Sequence, residues 1–199
     1  MRSQLADLDE LWKKLSFPVE VDPKTECPIL KDLEEIYTNL DESLASINQI
    51  LGSRFVKPLR PEAELWKRWI VGLSDMLDQW VLCQRNWKYL ENIFKAADIK
   101  RAMPEETKKF DSVDKSFKTL MLKTAKNPSC LRIIKQSLQG PGPGTMDQLV
   151  NNNEILDEVQ KKLEDYMETK REAFPRFFFL SNDELIDILA NSQNLEIVQ

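Results

Sequence analysis

The side chains that could carry chemistry in this chain are cysteines and carboxylates, because histidine is absent. Ser-His-Asp and Cys-His nucleophile systems need an imidazole, and so do many metal sites. The chain therefore lacks both nucleophile systems and every histidine-containing metal site. Cys27, Cys83 and Cys130 are odd in number and widely spaced. This spacing favours free or buried thiols of a reducing compartment over a disulfide framework or a zinc site.

Neighbouring carboxylates could act as a general acid and a general base if their side chains converged. The candidate pairs are Glu34/Glu35, Glu105/Glu106 and Asp183/Glu184. Adjacent residues on a helix point roughly 100° apart, so the members of each pair diverge. Helix-cap and solvent-facing roles explain these pairs better than catalysis. We therefore predict no catalytic residue, no cofactor and no metal site.

Phosphate binding has one superficial candidate, the glycine-proline run over 140–145. It lacks the GxxxxGK[ST] pattern, and Pro141 and Pro143 remove two amides that a phosphate loop would supply. The run instead predicts an extended loop, either natural or an engineered junction.

A modest basic cluster comprises Lys57, Arg60, Lys67 and Arg68. It is more typical of a solvated face than of an ionic contact with an acidic partner, although the second interpretation stays open. The formal net charge of −5 counts against a nucleic-acid partner. No stretch of 18 apolar residues occurs, so we predict no membrane partner either.

A column of large apolar side chains recurs every seven residues from Trp66 to Phe94, and a second column follows it three residues later. Such a set could be an aromatic platform for bases or sugars. The heptad spacing favours a helical core instead. The predicted core residues are Trp66, Trp69, Leu73, Trp80, Trp87, Leu90 and Phe94.

The elements that carry these residues are predicted to be helices, since only five glycines occur and 31% of residues are charged. Apolar periodicity predicts a helix ending near Gly52, a long helix over 62–95, and a helix from about Thr145 to Arg171. The fold class is all-α, an elongated bundle of long helices. Its proline-marked breaks near 58–61, 95–104 and 139–145 are candidate hinges.

Four segments follow from these breaks. They are an N-terminal helical part over 1–57, a central long-helix bundle over 58–139, the Gly/Pro loop over 140–145, and a C-terminal helical part over 146–199. The apolar end at Leu195, Ile197 and Val198 has no helix cap, which favours a truncated segment.

The most unusual local feature is the run from Phe174 to Leu180, which has four phenylalanines in six residues. It could be a short buried strand or extended segment near 176–180, and it needs a partner surface inside or outside this chain. Ser181 to Glu184 has the pattern of a capping box that begins a final helix.

Four strings in the chain resemble the linker region of dynein heavy chains. The first is Ser53 to Pro58, the second is Gln84 to Phe94, and the third runs from Met103 through Phe110 to Val113-Asp114. The fourth string is the most specific match, and its motif residues are Phe174, Pro175, Arg176, Phe177, Phe178, Phe179, Asn182, Asp183 and Glu184. The resemblance covers about residue 30 to the end. The residues of the fourth string are more similar to those of axonemal than of cytoplasmic members.

The resemblance implies a function that spacing alone does not provide. In dyneins the linker is a helical lever that bends and straightens over a ring of ATPase modules. The expected partner is the rest of the heavy chain, with ATP and microtubules reached only through the full-length motor. The expected location is the cytoskeleton, in the axoneme of a cilium or flagellum. The alternative is a helical scaffold or coiled-coil domain outside any motor, and a nucleic-acid-binding helical domain is a weaker third option.

Overall fold

The computed structural model describes residues 2–139 and 144–190. Residues 140–143 of the loop predicted over 140–145, and the apolar end within 191–199, lie outside the described residues. Thr145, the last residue of the predicted loop, already begins a helix. The described chain is mainly helical, as predicted, with one small two-stranded sheet. None of its helices is long and apolar enough to cross a membrane.

The elements follow one another as α1 Arg2–Lys14, β1 Val19–Val21, β2 Pro28–Leu30, α2 Glu34–Leu51, α3 Arg60–Phe94, α4 Ala97–Ala102, α5 Pro104–Lys126, α6 Cys130–Gln139, α7 Thr145–Ala173, a 3-10 helix Pro175–Phe179, and α8 Asn182–Ala190. The long helix expected over 62–95 is α3. Prolines stand in the first turns of α3 and α5, where a missing amide hydrogen costs nothing. The interiors of α3, α5 and α7 contain no further proline.

The chain folds as two compact units. Unit 1 comprises Met1–Gln84 and Lys118–Val150, and unit 2 comprises Arg85–Phe117 and Asn151–Gln199. The boundaries at 84, 117 and 150 each fall inside a helix, namely α3, α5 and α7. Each compact unit combines two separate stretches of the sequence, so it does not correspond to a single one of the four predicted segments. The four segments stay a prediction.

In unit 1 the strands β1 and β2 form an antiparallel hairpin that the sequence did not predict. Val19 pairs with Leu30, and Val21 pairs with Pro28. The connection bends through Glu26, whose φ is 54°. Each strand has only three residues and the segment contains several prolines, so no alternation was long enough to reveal it.

The strand expected near 176–180 is wrong, because Pro175–Phe179 is a 3-10 helix. The Phe177 amide donates to the Phe174 carbonyl at 2.9 Å, and the Leu180 amide donates to the Phe177 carbonyl at 3.1 Å. Proline supplies a φ near −65° that suits the first turn of a helix. No neighbouring strand occurs among the described residues of unit 2 to pair with this segment.

Candidate functional site

The N-terminal part of the aromatic column on α3 lies in unit 1, and its side chains are buried. Trp66 and Trp69 meet edge to face, with ring centroids 5.1 Å apart. The ring of Trp80 packs on that of Phe17, with centroids 5.5 Å apart, and the Trp80 indole nitrogen donates to the Met121 sulfur at 3.2 Å. Leu73 is also buried, with 1% of its surface exposed. Trp80 is therefore covered by residues of the α1–β1 connection and of α5 in the same unit.

The C-terminal part of the column lies in unit 2 and packs on α5. Trp87 is fully buried, its indole nitrogen donates to Asp114 Oδ1 at 2.9 Å, and its ring lies 4.7 Å from that of Phe117. Phe94 stacks on Phe110 with centroids 5.3 Å apart and planes 13° apart. Leu90 is fully buried as well. The seven predicted core residues are thus all buried in the structure.

Three of the four strings that carry the dynein resemblance meet in unit 2. The indole nitrogen of Trp87, in the second string, donates a hydrogen bond to Asp114, in the third. Tyr89 from the second string hydrogen-bonds to Asp183 from the fourth, and burial, followed by the charges of Asp183 and Glu164, raises the pKa of Tyr89 above its usual value. Strings that are far apart in sequence are therefore joined by specific polar contacts.

Gln84, the first residue of the second string, completes the hairpin of unit 1. Its side-chain oxygen accepts from the Leu30 amide at 2.8 Å, and its side-chain nitrogen donates to the Leu30 carbonyl at 2.8 Å. One glutamine thus satisfies both backbone groups of an edge-strand residue, which an apolar side chain could not do.

The fourth string forms an exposed aromatic turn, which we define as residues 174–180. Phe174, Phe178 and Phe179 have exposed fractions of 47%, 54% and 93%. The guanidinium of Arg176 lies over the rings of Phe174 and Phe177, at 5.8 and 5.3 Å from their centroids. The interpretation of this run as buried is therefore wrong. The described residues do not cover these phenylalanines, so the expectation that the run needs a partner surface stays open.

The start of α8 holds this turn in place. The Ser181 hydroxyl accepts from the Glu184 amide at 3.3 Å, and the Glu184 carboxylate accepts from the Ser181 amide at 2.8 Å. This reciprocal pair confirms the predicted capping box. Arg171 at the end of α7 donates to the Leu180 carbonyl at 3.0 Å and to Asn182 Oδ1 at 2.6 Å. The sequence had no signal for this arginine, since its partners lie nine and eleven residues away.

The candidate acid–base pairs of carboxylates lie at helix starts. Glu34/Glu35, Glu105/Glu106 and Asp183/Glu184 each stand in the first turn of a helix, where carboxylates are stabilised by the helix dipole. Among the residues that the structure describes, no cluster of three or more cysteines and carboxylates could hold a metal ion.

The basic cluster lies at an exposed surface. Lys57, Arg60, Lys67 and Arg68 are all exposed. Arg60 pairs with Glu64 one turn later, at 3.4 Å. An exposed i,i+4 pair contributes little stability, so this arrangement has the character of a solvated face.

Comparison with known proteins decides the family. The family model described as "Dynein heavy chain, N-terminal region 2" matches residues 1–199. The chain belongs to the dynein heavy chain family. The resemblance inferred from the four strings is thereby confirmed.

The relatives of this dynein segment include several axonemal heavy chains. It is 41% identical to human dynein axonemal heavy chain 6 over 98% of its own length and 5% of that protein. It is 42% identical to human dynein axonemal heavy chain 10 over 84% of its length and 4% of that protein. It is 36% identical to rat dynein axonemal heavy chain 12 over 92% of its length and 6% of that protein. The segment thus spans a small fraction of each relative and corresponds to part of the N-terminal region.

Proposed function

We propose that this dynein segment is part of the mechanical linker of an axonemal heavy chain, a lever that bends and straightens over the ATPase ring and so drives microtubule-based motility. The observation that carries the proposal is the set of three long helices α3, α5 and α7, which have 35, 23 and 29 residues. A lever must transmit force without deforming, and long packed helices meet that need.

The stiffness of such a lever is supported by the α3 column. At 1.5 Å per residue, α3 alone is about 50 Å long. Isolated helices in water are marginal, so a helix of this length depends on packing along its apolar face. The buried indoles of Trp80 and Trp87 supply that packing, against Phe17 in unit 1 and Phe117 in unit 2 respectively.

The predicted hinges differ in how firmly they are anchored. The break at 95–103 contains Ile99 and Met103, which are 1% and 5% exposed, and the Met103 carbonyl accepts from the Thr107 hydroxyl at 2.7 Å. The hinge predicted near 58–61 overlaps the start of α3, which begins at Arg60. The connection that precedes α3, residues 52–59, buries Val56 but exposes Phe55 at 78%. We therefore propose the hinge near 58–61 as the more yielding of these two positions, because fewer side chains of its connection would have to leave a core.

The aromatic turn is proposed as a contact with the rest of the heavy chain. A cluster of exposed aromatic side chains costs solubility unless a partner covers it. Arg171 and the Ser181 capping box fix the turn, so the phenylalanines are presented with little loss of conformational entropy on binding.

The proposed role requires no chemistry from this segment itself. We propose that it is not an enzyme, that it contacts ATP and microtubules only through the full-length motor, and that nucleic acid and membranes are not its partners. The axonemal relatives support a location in the axoneme of a cilium or flagellum.

The proposal is tested by deleting the matching segment from a full-length axonemal heavy chain. We expect ATP hydrolysis by the ring to persist while microtubule gliding is lost. Gliding at the unaltered speed by the deleted motor would contradict the lever role. The isolated segment should hydrolyse no ATP, and turnover by pure protein would contradict the proposal that it is not an enzyme.

A further inference from the structure

A cavity of about 240 Å³ in unit 1 belongs to none of the features above. It is bounded by the C-terminal half of α5, by α6, and by the first turn of α7, with Trp80 of α3 contributing to its wall. The lining side chains include the amides of Asn127, Gln136 and Gln148. Hydrogen-bond donors therefore approach the cavity from three different helices or their ends.

The charged side chains that line this cavity are both basic. Lys123 and Arg132 line it, and among the described residues no aspartate or glutamate does. Neither cation forms an ion pair with any residue in the described parts of the chain. The whole chain carries a net charge of −5, so a general excess of basic residues does not explain a cavity without acids.

We infer that this cavity binds a small phosphate ester or pyrophosphate free in solution. The half-buried Arg132 can donate two parallel hydrogen bonds to phosphate oxygens, and Lys123 supplies a second positive charge. The neighbouring amide side chains can donate to the remaining oxygens. A partly enclosed site strengthens these contacts because it excludes part of the screening water.

The size of the cavity restricts the ligand. Sites for drug-sized molecules occupy about 300–1,000 Å³, and this cavity is smaller. A diphosphate or a phosphate on a short organic group fits this volume better than a whole nucleoside triphosphate. The side chains of Trp80, Leu120 and Ile133 offer an apolar wall for that short organic group.

This site is independent of the lever role, since it requires only the folded segment. It also differs from the glycine-proline run, whose sequence lacks a phosphate-loop pattern. The affinity for inorganic phosphate should rise as the ligand loses its second proton, because the dianion is attracted more strongly than the monoanion to the two cations.

The test is calorimetric titration of the 199-residue chain with pyrophosphate at low ionic strength. We expect a dissociation constant of about 1 mM or tighter. Arg132→Gln should weaken binding by roughly tenfold or more, since it removes hydrogen bonds to a charged ligand. Lys123→Gln provides a second variant at an exposed residue, where the substitution should leave the fold intact.

The matched control is Lys14→Gln, which removes an exposed lysine of the same unit that does not line the cavity. It should leave the affinity unchanged. Absence of binding at 10 mM pyrophosphate, taken as about ten times the expected constant, would overturn the inference. Equal weakening by Lys14→Gln would also overturn it, because general charge attraction would then account for the binding.

Discussion

At the residue scale, Gly52 and Gly144 differ in what an added side chain would meet. Gly52 ends α2 with φ −75° and ψ −11°, a right-handed conformation open to any residue, and a Cβ there would lie 3.4 Å from the Asn48 carbonyl oxygen. A Cβ on Gly144 would lie 2.8 Å from the Ser137 carbonyl oxygen. The first contact is ordinary, whereas the second requires a backbone shift.

Gly52→Ala should therefore raise the free energy of unfolding by about 0.4–1 kcal/mol, because it reduces the entropy of the unfolded chain. Gly144→Ala should lower it by about 1–3 kcal/mol through the steric conflict. Urea unfolding of both variants measures the difference. A loss of stability in Gly52→Ala equal to that in Gly144→Ala would show that Gly52 is needed as a helix stop after all.

Burial also sets the behaviour of two thiols in unit 1. Desolvation raises the pKa of Cys83 and of Cys130 from 9.0 to about 12. In the unfolded chain both thiols ionise near pH 9, whereas in the folded chain they stay neutral. The folded state therefore binds more protons than the unfolded state between these values, and stability must fall as the pH rises.

We expect the free energy of unfolding to decline between about pH 9 and 12 by roughly 1 kcal/mol per pH unit for each thiol. The burial-raised pKa values of Tyr37, Tyr89 and Tyr166 act in the same direction above pH 10. The double variant Cys83→Ala/Cys130→Ala should show a shallower decline in urea titrations across this window. An unchanged slope would mean that these thiols do not contribute.

At the element scale, the hairpin depends on one side chain of α3. Gln84 both accepts from and donates to Leu30, so the two possible substitutions test different halves of the contact. Gln84→Glu keeps the acceptor for the Leu30 amide but loses the donor for the Leu30 carbonyl. Gln84→Met keeps the approximate volume and loses both hydrogen bonds.

We expect Gln84→Met to cost about 1–3 kcal/mol of stability, since it leaves a part-buried amide and carbonyl unsatisfied. Hydrogen exchange of the Leu30 amide should accelerate in Gln84→Met and less so in Gln84→Glu. Val81→Ala is the matched control, because Val81 is 39% exposed on the same helix. Slow Leu30 exchange in both glutamine variants would contradict this role.

Most helices could be predicted from the sequence because their signal is local. Heptad spacing from Trp66 to Phe94 identified α3, and the Ser181–Glu184 pattern identified the start of α8. The β1–β2 hairpin could not be found in this way. Its three-residue strands are stabilised by a hydrogen bond to Gln84, which lies 54 residues from Leu30.

The candidate site was predictable only in pieces. The four strings identified the family, yet neither the Trp87–Asp114 bond nor the Tyr89–Asp183 bond follows from any local pattern. The run of phenylalanines suggested a buried strand on composition. Its i to i+3 hydrogen bonds, and the lack of a pairing strand among the described residues of unit 2, instead give an exposed 3-10 turn.

At the scale of the whole molecule, the chain covers only a small part of the length of its relatives. It spans about 5% of human dynein axonemal heavy chain 6. Its long helices and aromatic column are suited to resisting deformation, while its exposed aromatic turn is suited to contacting another part of the motor. Both features support the mechanical role proposed for this chain.

The most direct test of this account is Trp87→Ala in a full-length axonemal heavy chain. The substitution leaves a large cavity beside Phe117 and should cost the segment about 3–5 kcal/mol. Val81→Ala on the exposed side of α3 is the control. Microtubule gliding and ATP hydrolysis are measured together. We predict slower gliding with ring ATPase retained for Trp87→Ala alone, whereas gliding at the control speed by a measurably destabilised Trp87→Ala motor would contradict the lever.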